Sequence, residues 1–305
     1  MRTNARGGAE HARVRPAGSG RAHVFVQAHR GYSSRYPEQT LLAFREAVRV
    51  GSERLEMDLG LTADNRVVLI HDNSVDRTTD GTGNVRDFPL ERLKRLDAGR
   101  WKSERFAGER IPTLDEVIDE IPAPTELNLE IKALKIERGE MEATVGAALE
   151  RIRRRQAGGR VIFSSFSLDA LLFVRSLDPD ARLLLIDWSD PAEHAGLDAA
   201  IEHRLYAWTA PARHATEERV RKAVEAGLIT HIGGTAIDES ALRYVQWGVH
   251  GLSNDDPETL IRFLAENHLR AGDSTAGDTP AGDNPAGDTT ANDTRTNDTT
   301  AGDRL

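Results

Sequence analysis

Residues 54–72, RLEMDLGLTADNRVVLIHD, decide how the central part of this chain folds. The segment opens with acidic and apolar residues in alternation. Side chains two positions apart point to the same face of a strand, so Glu56 and Asp58 share a face. The polar turn ADN at 63–65 separates this strand from the apolar run VVLI, and so short a connection requires an antiparallel hairpin. Because the hairpin would return His71 to the height of Asp58, the sequence predicts two carboxylates and an imidazole at one end of one strand pair.

Outside this hairpin, short apolar runs alternate with segments of helical apolar spacing. Eight candidate strands lie at residues 24–28, 54–58, 126–131, 160–164, 182–187, 204–209, 228–232 and 249–253. Helices are predicted between them, and TLDE at 113–116 is a capping box that begins one of these helices. Eight strand–helix units in about 250 residues predict an α/β fold, the (β/α)₈ TIM barrel. A doubly wound sheet is the alternative, but the first strand–helix turn lacks its glycine-rich phosphate-binding motif.

Three segments fall outside the barrel pattern. Residues 73–111 are rich in turn signals, and we predict a small insertion there, over the top of the barrel after the second strand and its hairpin. Residues 1–22 contain five arginines and one glutamate without an apolar run, which predicts a disordered basic arm and no secretory signal. Residues 271–305 repeat an AGDxx pattern with aspartate at every fifth position, which predicts a disordered acidic low-complexity tail. The barrel is therefore predicted to occupy residues 23–270.

The composition excludes several classes of protein. The chain contains no cysteine, so disulfides, thiolate metal sites and cysteine nucleophiles are excluded. No apolar run approaches the roughly 20 residues of a membrane span. The net charge of −9 lies almost wholly in the predicted barrel, which argues against nucleic acid as a partner. We therefore predict a cytoplasmic protein that acts on a small molecule; the sequence makes no prediction of its oligomeric state.

Charged side chains collect at the predicted carboxyl ends of the strands, where a TIM barrel carries its active site. They are His29, Arg30, Glu56, Asp58, His71, Glu130 and Lys132, with Asn128 on the same strand face as Glu130. Carboxylates without thiolates suit one hard divalent cation, Mg²⁺ or Ca²⁺. A cation beside Arg30 and Lys132 favours a phosphate ligand, and two histidines can supply one base and one acid. The pattern predicts phosphodiester hydrolysis.

An ordered set of motifs resembles the glycerophosphodiester phosphodiesterase family. In addition to residues 54–72, the motifs are HRG at 29–31, PEQT at 37–40, RTTDGTG at 77–83, LDAG at 96–99, FAGERIPTLDEV at 106–117 and LEIK at 129–132, with looser matches in SSF at 164–166 and GVHGLSNDDPETL at 248–260. The resemblance implies a (β/α)₈ barrel that cleaves glycerophosphodiesters to glycerol 3-phosphate and an alcohol. It implies metal ligands at Glu56, Asp58 and Glu130, an acid–base pair at His29 and His71, and phosphate contacts from Arg30 and Lys132.

The chain departs from the family pattern at three places. Gln39 stands where the family usually has asparagine, a change that we expect to be tolerated. The last strand ends SND at 253–255, where the family usually has Thr-Asp. The seventh strand ends HIGG at 231–234, where the family usually has a Trp-Thr pair that lines the substrate pocket. We predict that Trp208 replaces this aromatic by reaching across the mouth of the barrel.

Further side chains have two interpretations each. Glu38 either interacts with the positive amino end of a nearby helix or contacts Arg30 or substrate. Asp72 either caps the hairpin or orients His71. Phe166 is a candidate for a supporting position behind the site residues or for the substrate pocket, although packing at the top of the barrel is the favoured interpretation for it and for Trp188.

The sequence leaves two alternative functions open. One is a relative on the same barrel that hydrolyses lysophospholipid or sphingolipid headgroups. The other is a barrel that has lost catalysis and only binds phosphate esters, although the complete set of charged residues argues against it. The sequence does not assign the acid and the base between the histidines, nor does it decide between water and the glycerol 2-hydroxyl as nucleophile.

Overall fold

The computed structural model describes residues 23–270; the predicted arm at 1–22 and tail at 271–305 lie outside the described residues. The strands are β1 Phe25–Ala28, β2 Arg54–Leu61, β3 Val67–Leu69, β4 Glu126–Glu130, β5 Val161–Ser165, β6 Arg182–Ile186, β7 Ala207–Pro211, β8 Ile229–Gly233 and β9 Gly251–Asn254. The helices are α1 Leu41–Arg49, α2 Leu90–Leu93, α3 Leu114–Glu120, α4 Arg138–Arg154, α5 Leu168–Leu177, α6 Ala195–Glu202, α7 Glu217–Glu225, α8 Glu239–Trp247 and α9 Pro257–Glu266. Within these residues, no helix is both long and apolar enough to cross a membrane.

Eight parallel strands close into a barrel. Every strand except β3 pairs in parallel with its neighbours in chain order, and β1 closes the ring by pairing with both β9 and β2. Helices follow the strands on the outside, where the main apolar cluster fills the space between sheet and helices. The predicted (β/α)₈ TIM barrel is confirmed, with strand boundaries that differ from the predicted ones by one to three residues.

The predicted hairpin is also present. Strand β3 runs antiparallel to β2, with Leu59 opposite Leu69 and Gly60 opposite Val68. The backbone N–H of Ile70 donates to the carbonyl of Asp58 over 3.1 Å, which brings His71 to the carboxyl end of β2 as expected. The capping box at Thr113 is formed as well, since its side chain accepts from the Glu116 N–H and the Glu116 carboxylate accepts from the Thr113 N–H.

Residues 73–111 form a compact layer of short turns with a small core of its own. Val75, Val85, Phe88 and Leu93 belong to an apolar cluster that also includes outward side chains of the hairpin. This layer contacts the loop after β1, where the Lys102 ammonium donates to a backbone carbonyl over 2.8 Å. The insertion is thus anchored beside the carboxyl end of the first strand.

The inside of the barrel is filled by polar layers. Near the amino ends of the strands, Arg54 donates to Glu126. One layer higher, the Gln27 amide donates to Ser253 Oγ over 3.3 Å and accepts from Asn128 Nδ2 over 3.2 Å. Alternate residues of each strand point inward, so the next inward positions lie at the mouth of the barrel. Those positions carry the predicted site residues.

Candidate active site

Three buried carboxylates from two neighbouring strands meet at the mouth of the barrel. Glu56 and Asp58 are inward residues of β2, and Glu130 is the last residue of β4, paired in register with Asp58. Each offers one oxygen, and these oxygens lie within 4.8 Å of one another. The side chains are 1–11% exposed. Because inward-facing residues of β2 and β4 lie in register, the two strands together form the acidic cluster that the sequence predicted.

The cluster is electrostatically strained when all three groups are ionised. Burial and the Asp58 charge raise the pKa of Glu56 to about 8 and that of Glu130 to about 7. One Glu56 oxygen accepts from the backbone N–H of Arg30 over 2.9 Å, while its other oxygen is buried and has no partner among the described residues. Hard oxygen donors with unpartnered lone pairs suit a divalent cation, so these residues fit the predicted metal ligands.

Because a cation must displace the protons held by Glu56 and Glu130, its binding is expected to depend on pH. Both pKa values are raised to about 7–8, so affinity should rise by up to about tenfold per pH unit for each proton displaced as the pH increases through this window. Titration calorimetry of Mg²⁺ or Ca²⁺ into chelator-stripped protein, in two buffers of different ionisation enthalpy, should show proton release at pH 7 and little at pH 9. Affinity that is constant from pH 6 to pH 9 would contradict this electrostatic description.

Each candidate histidine is oriented by a carboxylate on its Nδ1 side. His29 Nδ1 lies 2.7 Å from Asp255 Oδ1, and its Nε2 lies 3.9 Å from Glu56 Oε2. Burial lowers the pKa of His29, but the hydrogen bond that its Nδ1–H donates to Asp255 and the charge of Glu56 outweigh it and raise the pKa to about 9.

His71 lies at the same mouth in a different electrostatic environment. Its Nδ1 is 2.6 Å from Asp72 Oδ1, a contact that the predicted orienting role of Asp72 requires. Burial and the charge of Lys132 lower the pKa of His71, although Asp58 acts in the opposite direction. Two imidazoles with different proton affinities therefore lie beside one acidic cluster.

The two predicted phosphate-binding cations also lie at this cluster. The Lys132 ammonium is 2.9 Å from Asp58 Oδ1 and 3.3 Å from Glu130 Oε1. Arg30 donates from Nη1 to Glu38 over 3.0 Å, and its Nε is 3.9 Å from Asp58 Oδ2. Glu38 thus contacts Arg30, which is one of the interpretations given to it above.

Arg77 was not predicted from the sequence, although it links the carboxylate beside His71 to the carboxylate beside Arg30. Its Nε donates to Asp72 over 2.6 Å, and its Nη atoms donate to Glu38 over 2.8 and 2.9 Å. Asp72 contacts His71 and Glu38 contacts Arg30. One guanidinium from the insertion therefore holds both of these carboxylates in place. The motif RTTDGTG contained this residue, but no pattern within the motif indicated its partners.

Two further contacts were also missed. The Gln39 amide donates to Asp58 Oδ2 over 2.6 Å, and Gln39 holds a left-handed φ of 57° that aims its side chain inward. Asp255 follows β9 and orients His29 from 226 residues away in the chain. The family's usual Thr-Asp ending of the last strand was a signal for Asp255, whereas the conformation of Gln39 had no sequence signal.

Two cavities are lined by predicted site residues. The larger, of 450 Å³, has Glu56, Glu130 and His29 at one end and Phe166, Trp188 and Arg213 among its other lining residues. The smaller, of 320 Å³, is lined by His71 and Lys132 together with hairpin residues. Phe166 therefore lies in the pocket, as one interpretation held, and Trp188 joins it there.

The prediction that Trp208 reaches across the mouth is wrong. Trp208 is fully buried on the outer face of β7, because inward and outward residues alternate and the neighbouring Thr209 takes the inward position. Its indole N–H donates to Asp187 Oδ2 over 2.9 Å. The pocket aromatic is Trp188, which is 54% exposed and packs edge-on against Phe166.

Trp208→Ala is accordingly expected to lower stability. Truncating a fully buried tryptophan should lower the free energy of unfolding by about 3–5 kcal/mol through lost burial and a residual cavity. Urea unfolding measures this, with Trp188→Ala as the matched control, for which we expect a loss below about 1 kcal/mol. Equal losses for both variants would show that the burial assignment is incorrect.

The chain is similar to known proteins in both sequence and fold. The model of the glycerophosphoryl diester phosphodiesterase family matches residues 29–259. A glycerophosphodiester phosphodiesterase of Caldanaerobacter subterraneus is 37% identical over 246 residues, which is 79% of this chain and 98% of that protein. One from Bacillus subtilis is 31% identical over 250 residues, 77% of this chain and 84% of that protein. The structure of an Oleispira antarctica phosphodiesterase in complex with the product sn-glycerol-3-phosphate superposes with a TM-score of 0.71 at 29% identity, over 79% of this chain and 96% of that one.

Proposed function

The chain belongs to the glycerophosphoryl diester phosphodiesterase family, and from this premise we propose that it hydrolyses glycerophosphodiesters with a divalent cation and a pair of histidines. The products would be glycerol 3-phosphate and the alcohol of the second ester. Membership of this hydrolase family gives the reaction class. The proposal adds the cation, either Mg²⁺ or Ca²⁺, and the role of each residue.

Glu56, Asp58 and Glu130 would hold the cation. When bound, it supplies charge neutralisation at a non-bridging phosphate oxygen. Lys132 lies against the same carboxylates and can donate to a second phosphate oxygen, while Arg30 approaches from the β1 side. Positive charge on two sides would fix the phosphate and stabilise the charge that develops in the transition state.

His29 and His71 would transfer the protons. Asp255 and Asp72 bind the two Nδ1 atoms, which leaves each Nε2 available to the reacting groups. His29 borders the larger cavity and His71 the smaller one. Because both imidazoles lie beside the acidic cluster, a phosphate held there would be near both, and one imidazole could act as base while the other acts as acid.

The observation that carries this proposal is the meeting of three carboxylates from two strands with two separately oriented imidazoles. The test is incubation of the purified full chain with glycerophosphocholine, glycerophosphoethanolamine and glycerophosphoinositol, with lysophosphatidylcholine as a control. We expect glycerol 3-phosphate and the free alcohol in equal amounts from the glycerophosphodiesters. Release of a phosphorylated alcohol, or turnover of lysophosphatidylcholine alone, would refute the proposal. The cytoplasmic location and the exclusion of nucleic acid stay predictions.

A further inference from the structure

We propose that Trp188 and Arg213 form a subsite for the alcohol headgroup, and that this subsite favours headgroups rich in hydrogen-bond acceptors over cationic ones. The inference rests on the proposed function and deepens it, because it names the substrate class of the same site. The preferred class comprises polyhydroxyl and anionic headgroups such as inositol and its phosphates. The disfavoured class comprises choline and ethanolamine.

The subsite occupies the larger cavity. Trp188 is 54% exposed, and Phe166 packs edge-on against it with ring centroids 5.2 Å apart. The Arg213 guanidinium lies 4.5 Å from the centroid of the Trp188 ring. All three residues line the cavity whose other end is formed by Glu56, Glu130 and His29. A phosphate on the acidic cluster would therefore direct one of its alcohols toward this stacked pair.

A buried ion pair fixes the segments that carry Trp188 and Arg213. The neighbours of Trp188 are Asp187 and Ser189, and Asp187 accepts from the guanidinium of Arg219, which is fully buried. The same guanidinium donates from Nη1 to the carbonyl of His214 over 2.9 Å. His214 Nδ1 in turn lies 3.1 Å from the Ser189 carbonyl. Arginine–aromatic stacks are common on protein surfaces, but this one is held on both sides by a network that reaches into the core.

Arg213 offers donors that no neighbouring group uses. Across residues 23–270, its guanidinium makes no hydrogen bond and no ion pair, and its one contact of note is with the Trp188 ring. Arg30 and Lys132 at the other end of the site are both paired with carboxylates. A guanidinium presents a planar fork of N–H donors that matches phosphate, carboxylate or paired hydroxyl oxygens.

A choline group would meet unfavourable conditions at the same place. Exposed tryptophan faces attract quaternary ammonium groups through the ring quadrupole, but Arg213 already occupies one face of Trp188. A second cation beside it would experience repulsion between like charges. Solvent access limits this repulsion to about a two- to fivefold effect on kcat/KM, the scale of exposed charge pairs.

The test compares kcat/KM for glycerophosphocholine and glycerophosphoinositol in the full chain with its bound cation. The wild-type enzyme should prefer glycerophosphoinositol, and Arg213→Gln should raise the choline-to-inositol ratio about two- to fivefold, chiefly through KM. Arg213→Lys should keep the disadvantage of choline, because it retains the charge, but should weaken inositol binding. The control is Arg221→Gln, which removes a surface arginine paired with Glu217 on α7 and should leave the ratio unchanged.

The outcomes separate the two proposals. No glycerol 3-phosphate from any substrate would refute the proposed function itself. Normal turnover with the same choline-to-inositol ratio in wild type and Arg213→Gln would refute the subsite while leaving the function intact. Wild-type preference for glycerophosphocholine would also refute the subsite. Arg213 is exposed, so the variant is expected to fold, and an unchanged melting temperature would verify this.

Discussion

Glu56→Gln is expected to lower kcat/KM for glycerophosphodiester hydrolysis by at least about 10³-fold, because loss of a metal ligand removes several kcal/mol of transition-state stabilisation. The substitution preserves the size of the side chain and can still accept the N–H of Arg30. It removes one of only three carboxylates in the cluster. A coupled assay for glycerol 3-phosphate measures the loss, with the surface variant Glu120→Gln as control.

The same variant should be more stable than the wild type when chelator is present. Burial and the Asp58 charge raise the pKa of Glu56 from 4.5 in the unfolded chain to about 8. The unfolded chain therefore releases this proton more readily, and the stability of the wild type falls as the pH rises from 4.5 to 8. Glutamine removes that cost, so Glu56→Gln should unfold at higher urea concentration at pH 8. A variant that is both fully active and no more stable would contradict the assigned role of Glu56.

His29→Ala and His71→Ala are each expected to lower kcat by about 10²- to 10⁴-fold, the usual contribution of a positioned acid or base. The kcat of the double variant should be only slightly lower than that of the less active single variant, because the two imidazoles act as one unit in the proton transfers. Single-turnover measurements would separate this loss of chemistry from substrate binding, which should change little. His268→Asn, at an exposed left-handed position after α9, is the matched control. Strict multiplication of the two single effects would indicate that the histidines act in independent roles.

The acidic cluster could be predicted from the sequence because the alternation of side chains between the two faces of a strand is a local property. The alternation in residues 54–58 placed Glu56 and Asp58 on one face, and the LNLE segment of β4 placed Glu130 on the matching face. Fold class then brought the two faces together, since neighbouring parallel strands end at the same mouth. The short ADN connection fixed the hairpin in the same way and so determined the place of His71.

The failures were of two physical kinds. In the segment AWTAP both faces of the strand are buried, so no alternation of polar and apolar residues indicates whether Trp208 or Thr209 points inward. The partners of His29 and Asp58 depend on long-range contacts and on backbone conformation. Asp255 lies at the far end of the chain, and Gln39 reaches Asp58 from a left-handed conformation that is uncommon for its residue type.

The most direct test of the account is glycerol 3-phosphate release by the wild-type chain after removal of divalent cations. The account predicts that chelator stops turnover, that Mg²⁺ or Ca²⁺ restores it, and that Glu130→Gln shows no recovery at cation concentrations that saturate the wild type. Full turnover in chelator, with no response to added cation, would contradict the claim that Glu56, Asp58 and Glu130 act by holding a metal ion.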